Sequence, residues 1–297
     1  MLLNVSSYNS NNEGRRLKKM VNLSSARLSH EELTELCGSF DIVGDIAIIR
    51  APSGSGKNAK AIAEAVMSVH RNVKTVLAQA SPVAGGFRLR NLRHAAGENR
   101  STTIHKEFGC SFSVDVKACY FSPRLSHERM RIASLVSPGE ILVNMFAGVG
   151  CFSILIAKNV NNVKVYSIDV NPAAFEFMSK NVMLNRVYGK VIPILGDARQ
   201  LIERRLVGLA DRVLMPLPDK AFEYLPCAVS ALKPSGGWIH VYAFEHATKA
   251  ENPAEKVKQK TETVLGLLRV DFAVPFVRVV RSTGPNWWQI VADIKIS

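Results

Sequence analysis

From about residue 140 onward the chain alternates short, nearly all-apolar runs with longer stretches of helical spacing. The runs are EILVNMF, VKVYSID, KVIPIL, RVLMPL and WIHVYAF. They predict short strands buried on both faces, because a half-exposed strand would alternate polar and apolar positions. Helices are predicted between them at residues 151–158, 172–184, 219–232 and about 254–268. Strands alternating with helices predict a parallel, doubly wound α/β sheet. The end departs from this pattern. FAVPFVRVVRS and WQIVADIKI are joined only by TGPNW, too short a link for a parallel crossover, so they predict an antiparallel hairpin.

The first 120 residues have a different texture. Residues 1–36 are rich in Asn, Ser and basic residues and show no period that could bury a face. They predict a mobile tail with one short helix at residues 29–37, where Ser29 and Glu32 form a capping box. FDIVGDIAIIR predicts two strands around Gly44 and Asp45, and NAKAIAEAVMSVH predicts an apolar-faced helix. TVLAQ, FRLRNLRHAAG and TTIHKEFGCSFSVDV read as strands. A helix over residues 123–136 follows, capped by Ser122 with Pro123 at its first position. The expected organisation is a tail over 1–36, a small α+β domain over 37–121 that binds RNA or links, and a transferase domain over 122–297. Five β/α units closed by an antiparallel hairpin are the architecture of class I S-adenosylmethionine methyltransferases.

Candidate chemistry gathers where strands end. In FAGVGCFSI, Gly148 and Gly150 let the backbone approach a ligand at a helix N-terminus. Asp169 ends the next strand about 20 residues on, where an acidic group accepts from ribose hydroxyls. Asp197 ends the third strand, placed either to meet an adenine amine or to cap the following helix. Three such features at consecutive strand ends point to adenosine binding, and the lack of a third glycine points to S-adenosylmethionine over NAD. APSGSGKNAK resembles a phosphate loop, but Ala51 and Asn58 stand where that pattern needs Gly and Ser or Thr. ATP binding there is not expected.

Composition narrows the classes further. The 297 residues are 47% hydrophobic and 21% charged, enough to bury a sizeable core. No apolar run approaches the ~20 residues needed to cross a bilayer, and the N-terminus does not read as a secretory leader. The five cysteines, Cys37, Cys110, Cys119, Cys151 and Cys227, form no CxxC clip and accompany no His pair at metal spacing. We expect reduced thiols, no metal, no membrane and a cytoplasmic location. The net charge is +13, and the first 137 residues hold 19 basic against 11 acidic side chains. A surplus of this size favours a polyanion such as nucleic acid.

The blocks VGDIAII, GGFRLRNLRHAAGE, TTIHKEFGCSFSVDV, YFSPRLSHER, MFAGVGCFSI, IDVNPAAFEFMSKNVMLN, GDAR, DRVLMPLP and KPSGGWIHVYAF occur in that order. Together they cover about 260 residues, and the chain resembles the archaeal–eukaryotic-type tRNA (guanine-37-N1)-methyltransferase family. A near relative of that family is the aminocarboxypropyl transferase of wybutosine synthesis. The resemblance implies methyl transfer from S-adenosylmethionine to N1 of guanosine 37, in the anticodon stem-loop of tRNA, by a monomer. Aminocarboxypropyl transfer to a wyosine-type base is the alternative, and a non-catalytic RNA-binding protein is another. The resemblance implies that Glu128 is the general base and that Arg88 polarises the substrate. It also implies cofactor contacts from Ser122, Arg129, Phe146, Ala147, Val170, Ala198 and Pro216, beside the glycines and aspartates already named. Without the resemblance, Glu128 reads as an i,i+4 partner of Arg124 on an exposed helix, and Arg88 as a solvated strand residue. Two positions depart from the family pattern. Asn144 stands for the Asp that ends strand one, and Pro216 for the Asn of an Asn-Leu-Pro block. The small N-terminal tRNA-binding domain of the family has no expected counterpart before Ser39.

Overall fold

In the computed structural model, residues 40–50 and 56–297 are described. The expected tail, the helix at 29–37 and the first half of the phosphate-loop-like segment, residues 51–55, lie outside them. The chain divides into two compact units. The described part of the first covers residues 40–50, 56–107 and 111–124, and the second comprises residues 108–110 and 125–297.

In the first unit, β1 (Asp41–Val43) and β2 (Ile46–Arg50) form a tight antiparallel pair around Gly44. Gly44 has φ +58°, and a Cβ there would sit 2.3 Å from Thr103 Oγ1, so both the turn and the close approach require glycine. Helix α1 (Gly56–Val69) crosses over to β3 (Thr75–Gln79), which pairs parallel with β2, and β4 (Leu92–Gly97) closes the sheet antiparallel. Ile62, Ala63 and Val66 of α1 bury against Ala47, Ile49 and Val76 of the sheet. A hairpin of β5 (Thr102–Glu107) and β6 (Cys110–Asp115) follows.

One strand reading needs correction. FRLRNLRHAAG is not one strand: residues 85–88 form a turn closed by a bridge between Ala84 and Leu89, and only Leu92–Gly97 extends as β4. Gly85, at φ +73°, supplies the turn that the Gly-Gly pair signalled. Arg88 therefore lies in the turn, not on a strand.

The second unit opens with α2 (Ser126–Leu135). Pro123–Leu125, just before it, is a 3₁₀ turn, and no side chain caps α2. Ser122 is buried, and α2 starts three residues later than expected, after Leu125. The strands β7 (Ile141–Asn144), β8 (Lys164–Asp169), β9 (Val191–Leu195), β10 (Arg212–Met215) and β11 (Gly237–His246) are parallel neighbours in one sheet. The helices α3 (Cys151–Asn159), α4 (Pro172–Leu184), α5 (Ala198–Leu201), α6 (Ala221–Ala231) and α7 (Pro253–Leu268) connect these strands or follow them. The hairpin β12 (Phe272–Gly284) and β13 (Trp287–Ile296) completes a seven-stranded sheet in the order β12-β13-β11-β10-β7-β8-β9. β13 runs antiparallel to β11, as the short TGPNW link required.

Ile202, Leu225, Ala228, Val257 and Leu265 cover one sheet face, which carries Val143, Ile168, Val213, Ile239, Val241 and Ala292. α2 packs on α3 at the opposite face. No helix among the described residues is long and apolar enough to cross a membrane.

Candidate active site

The carboxyl ends of β7, β8 and β9 carry the loop features read from the sequence. Residues 145–150 turn β7 into α3, with Gly148 at φ +57° and Gly150 at φ +92°. A Cβ on Gly150 would lie 2.9 Å from Ile154 Cδ1 and 3.0 Å from Met178 Cγ. Both the backbone conformation and the packing therefore demand glycine. No side chain caps α3. Asp169, at the end of β8, reaches back to this loop. Its Oδ2 accepts from the Gly148 N–H at 2.6 Å and its Oδ1 from the Asn171 N–H at 2.9 Å. Burial pushes its pKa above the usual carboxylate value, and the backbone donors oppose that shift. Each oxygen keeps a second lone pair for a diol.

Beside Asp169, Val170 is half-exposed, an apolar side chain at the loop's edge. Phe146 meets Tyr224 edge-on at 5.2 Å. Asn144 is fully buried; its amide donates to Ser153 Oγ at 3.0 Å, while its Oδ1 has no hydrogen-bond partner. An acceptor orphaned beneath a glycine loop, an uncapped helix and a diol-ready carboxylate fit an adenosyl group with a polar tail.

Asp197 does what its alternative reading expected. It caps α5, its Oδ1 accepting from the Gln200 N–H at 3.1 Å, and its Oδ2 takes the Tyr224 hydroxyl at 2.8 Å. Burial and that bond push the Tyr224 pKa up to about 12, so the phenol stays a donor. Ala198 is buried directly behind this cap, and Ala147 is buried in the glycine loop. Pro216 follows the last residue of β10, half-buried, at the same edge of the sheet.

Glu128 is not a surface group. It is 2% exposed on the buried face of α2, together with Arg129, Ile132 and Ala133. Arg124 does not pair with it but bonds Asp41 at 2.6 Å, so the exposed i,i+4 pair does not form. Glu128 instead accepts from Arg131 Nε at 3.1 and 3.2 Å, from the Tyr242 hydroxyl at 2.9 Å, and from Arg278 Nη2. Every one of these partners donates, which suits an ionised, acceptor-only carboxylate. Burial raises the Tyr242 pKa well above that of a free phenol. The Tyr242 ring also lies 5.9 Å from Phe152 of α3, so Glu128 is tied through Tyr242 to the helix that the glycine loop starts.

Residues 103–267 match the TRM5/TYW2 methyltransferase domain, and residues 20–100 match the TYW2 N-terminal domain. The chain is 41% identical over 267 residues to the tRNA (guanine(37)-N(1))-methyltransferase Trm5b of Pyrococcus abyssi, covering 87% of this chain and 75% of the relative. The chain belongs to the TRM5/TYW2 methyltransferase family. It is also 39% identical to the tRNA 4-demethylwyosine(37)-methyltransferase Taw21 of Saccharolobus solfataricus, covering 86% of this chain and 93% of that one. The crystal structure of wild-type Trm5b from Pyrococcus abyssi superposes with a TM-score of 0.80 at 38% identity, covering 92% of this chain and 79% of that one.

The family residues fall into both units. Gly148, Gly150, Asp169, Val170, Asp197, Ala198, Phe146, Ala147 and Pro216 share the carboxyl edge of the large sheet, and Glu128 and Arg129 share one face of α2. Ser122 and Arg88 belong to the first unit. Arg88 stands in the 85–88 turn at φ +56°, with its guanidinium 5.0 Å from the Tyr120 ring centroid. That is a cation–π contact, not a solvated strand position.

Sequence reasoning missed the groups that hold Glu128: Arg131, Tyr242 and Arg278. It also passed over Asp293 and His240, buried behind them. One signal was available. The apolar run RVLMPL opens on Arg212, WIHVYAF is interrupted by His240 and Tyr242, and WQIVADIKI by Asp293, polar groups at positions whose neighbours demand burial.

Proposed function

We propose that this protein transfers a methyl group from S-adenosylmethionine to N1 of guanosine 37 in tRNA. The match to Trm5b at 41% identity over 87% of the chain carries the reading, and the geometry supports it residue by residue. The bound cofactor supplies a methyl group on a sulfonium, an electrophile with no proton to manage. The chain's own residues do the rest. Asp169 accepts from the ribose hydroxyls while its backbone partners hold it rigid. Guanine N1 carries a proton that blocks its lone pair, and Glu128 takes that proton as the pair turns to the methyl carbon. Arg88 steadies the charge that appears on O6. The protein acts as a monomer, without a metal, in the cytoplasm.

A second reading keeps position 37 and S-adenosylmethionine but makes a wyosine-type base the acceptor, by methyl or aminocarboxypropyl transfer. Pro216 favours it, because a proline carbonyl replaces the amide that would read the guanine edge. One experiment separates the readings. Unmodified tRNA and tRNA carrying 4-demethylwyosine are each incubated with the protein and S-adenosylmethionine, digested, and analysed by nucleoside mass spectrometry. N1-methylguanosine from unmodified tRNA is expected. Turnover of the tricyclic base alone would replace the first reading with the second, and the added mass tells methyl from aminocarboxypropyl. No mass change in either would leave an RNA-binding protein.

A further inference from the structure

One face of the large sheet carries a continuous line of charged and polar side chains. Asp293 of β13 lies directly opposite His240 of β11. Arg212 of β10 pairs with Trp238, two residues before His240. Because strand side chains alternate with period two, Arg212, Trp238, His240, Tyr242 and Asp293 point the same way. The hydrogen bonds run without a break. Glu140 accepts from Arg212 Nε at 2.7 Å and Nη2 at 3.0 Å, and Arg212 Nη1 meets His240 Nε2 at 2.7 Å. His240 Nδ1 lies 2.6 Å from Asp293 Oδ1. Asp293 accepts from Arg131 Nη1 at 2.6 Å and Nη2 at 3.2 Å, and Arg131 Nε reaches Glu128.

The protonation pattern follows from chemistry. A guanidinium only donates, so His240 Nε2 accepts from Arg212. The imidazole proton is then on Nδ1, donated to Asp293, and the ring is neutral. Burial depresses the His240 pKa in the same direction. Burial alone would raise Asp293, but the bonds from His240 and Arg131 hold it at about 2. Charge alternates along the line: Glu140 negative, Arg212 positive, Asp293 negative, Arg131 positive, Glu128 negative.

Packing does not explain this arrangement. Buried ion pairs repay their desolvation poorly, and apolar side chains of similar volume are often as stable. A cavity of about 590 Å³ runs beside Arg131, Arg212, Trp238 and Phe276, but the charged groups there spend their hydrogen bonds on one another. The line ends on Glu128. The decisive detail is how Arg131 divides itself. Its two terminal nitrogens fork onto Asp293, while only its Nε–H goes to Glu128, split between the two carboxylate oxygens.

We propose that Arg212, His240, Asp293 and Arg131 form a positioning relay that fixes the carboxylate of Glu128 and keeps it basic. The proposal rests on the reading of Glu128 as the general base. All four act through Glu128. Without Asp293 the Arg131 fork would turn to Glu128 and make a bidentate pair, which stabilises the ionised carboxylate and weakens it as a base. The other groups facing Glu128 are Tyr242 from β11 and Arg278 from β12. Neither supplies a negative charge to replace that of Asp293.

The test is Asp293→Asn, isosteric but uncharged, read by single-turnover methylation of tRNA across pH. At neutral pH the rate should fall roughly ten- to a hundredfold, the range for a slightly misplaced catalytic group. The acid limb of the rate–pH profile should move to lower pH, and high pH should restore part of the rate. Affinities for S-adenosylmethionine and tRNA should stay within about threefold, a free-energy change of about 0.7 kcal/mol. Asp293→Glu, which returns the charge, should recover most of the rate. A folded Asp293→Asn protein with wild-type rate and profile overturns the relay. If that variant does not fold, Arg131→Lys carries the test, since an ammonium keeps the charge but cannot fork between two carboxylates. A wild-type profile in Arg131→Lys overturns the relay as well. Wild-type protein that methylates no guanosine would overturn the functional reading itself, and the relay with it, a result distinct from either variant's.

Discussion

Replacing Glu128 with glutamine separates the two roles its position combines. The substitution keeps volume and reach but exchanges one carboxylate oxygen for an amide nitrogen. Around Glu128 stand only donors, Arg131 Nε, the Tyr242 hydroxyl and Arg278 Nη2, so the new amide meets at least one donor head-on. Stability should therefore fall. Removing one partner from a buried ion pair costs about 3–5 kcal/mol. Arg278 is 39% exposed and can turn to water, so the low end applies. At about 2–4 °C per kcal/mol for a domain of this size, the melting temperature should drop by several degrees while the fold survives.

The catalytic effect is of a different kind. Loss of a general base typically costs roughly 10²–10⁴ in the chemical step. The assay is single-turnover methylation with the protein in excess over tRNA, well below the variant's melting temperature, with circular dichroism confirming the fold. Affinities for both ligands should change little. Raising the pH towards the ionisation of guanine N1 should rescue part of the rate, because solvent then delivers the deprotonated base. A folded Glu128→Gln protein with near wild-type rate at neutral pH would refute the assignment, whatever its stability.

Two further outcomes follow from the same geometry. Asp169→Ala should weaken S-adenosylmethionine binding by roughly 1.5–3 kcal/mol, the range for hydrogen bonds to a charged group; unchanged affinity by calorimetry in a folded variant would remove Asp169 from the cofactor site. Because burial lowers the His240 pKa in the fold, its contribution to stability is present above the free-histidine value of about 6.5 and is lost as pH falls below it, since the unfolded chain takes the proton first. Urea titrations from pH 8 to pH 5 should show a falling midpoint, and a level one would contradict a buried neutral imidazole.

Much of this was legible along the chain, for physical reasons. Strands buried on both faces write themselves as apolar runs, and a five-residue link leaves a hairpin as its only geometry; the seven-stranded sheet follows. The glycine at 150 was readable because its backbone angle and close neighbours leave little room for a side chain, and the one at 148 because its positive φ favours glycine. Alternating Arg and Leu in FRLRNLR mimic a strand, although the Gly-Gly pair at 85 and 86 opens a turn there. Ser122 has the right chemistry for a cap, but a 3₁₀ turn at Pro123–Leu125 displaces the start of α2 by three residues. The surroundings of Glu128 were beyond any local reading. Tyr242 is 114 positions away and Arg278 is 150, and pairing at such separations is written in the fold, not in any window of sequence.

The terminal hairpin therefore does more than distinguish this sheet from a dinucleotide-binding one. The parallel half, β7 to β9, carries the glycine loop, Asp169 and Asp197 at its carboxyl ends, the edge at which open α/β sheets generally bind ligands. The antiparallel half serves Glu128. Arg278 comes from β12 and Asp293 from β13, and the ladder that sets Asp293 opposite His240 also sets Val291 opposite Tyr242 and Arg278. A register slip of one residue in β13 would turn Asp293 to the apolar face and Ala292 towards His240. The apolar residues Ile290, Ala292 and Ile294, packed in the core on the other face, resist that slip. Core packing on one face thus fixes the placement of charge on the other, and the aliphatic side of β13 is part of what aims Glu128.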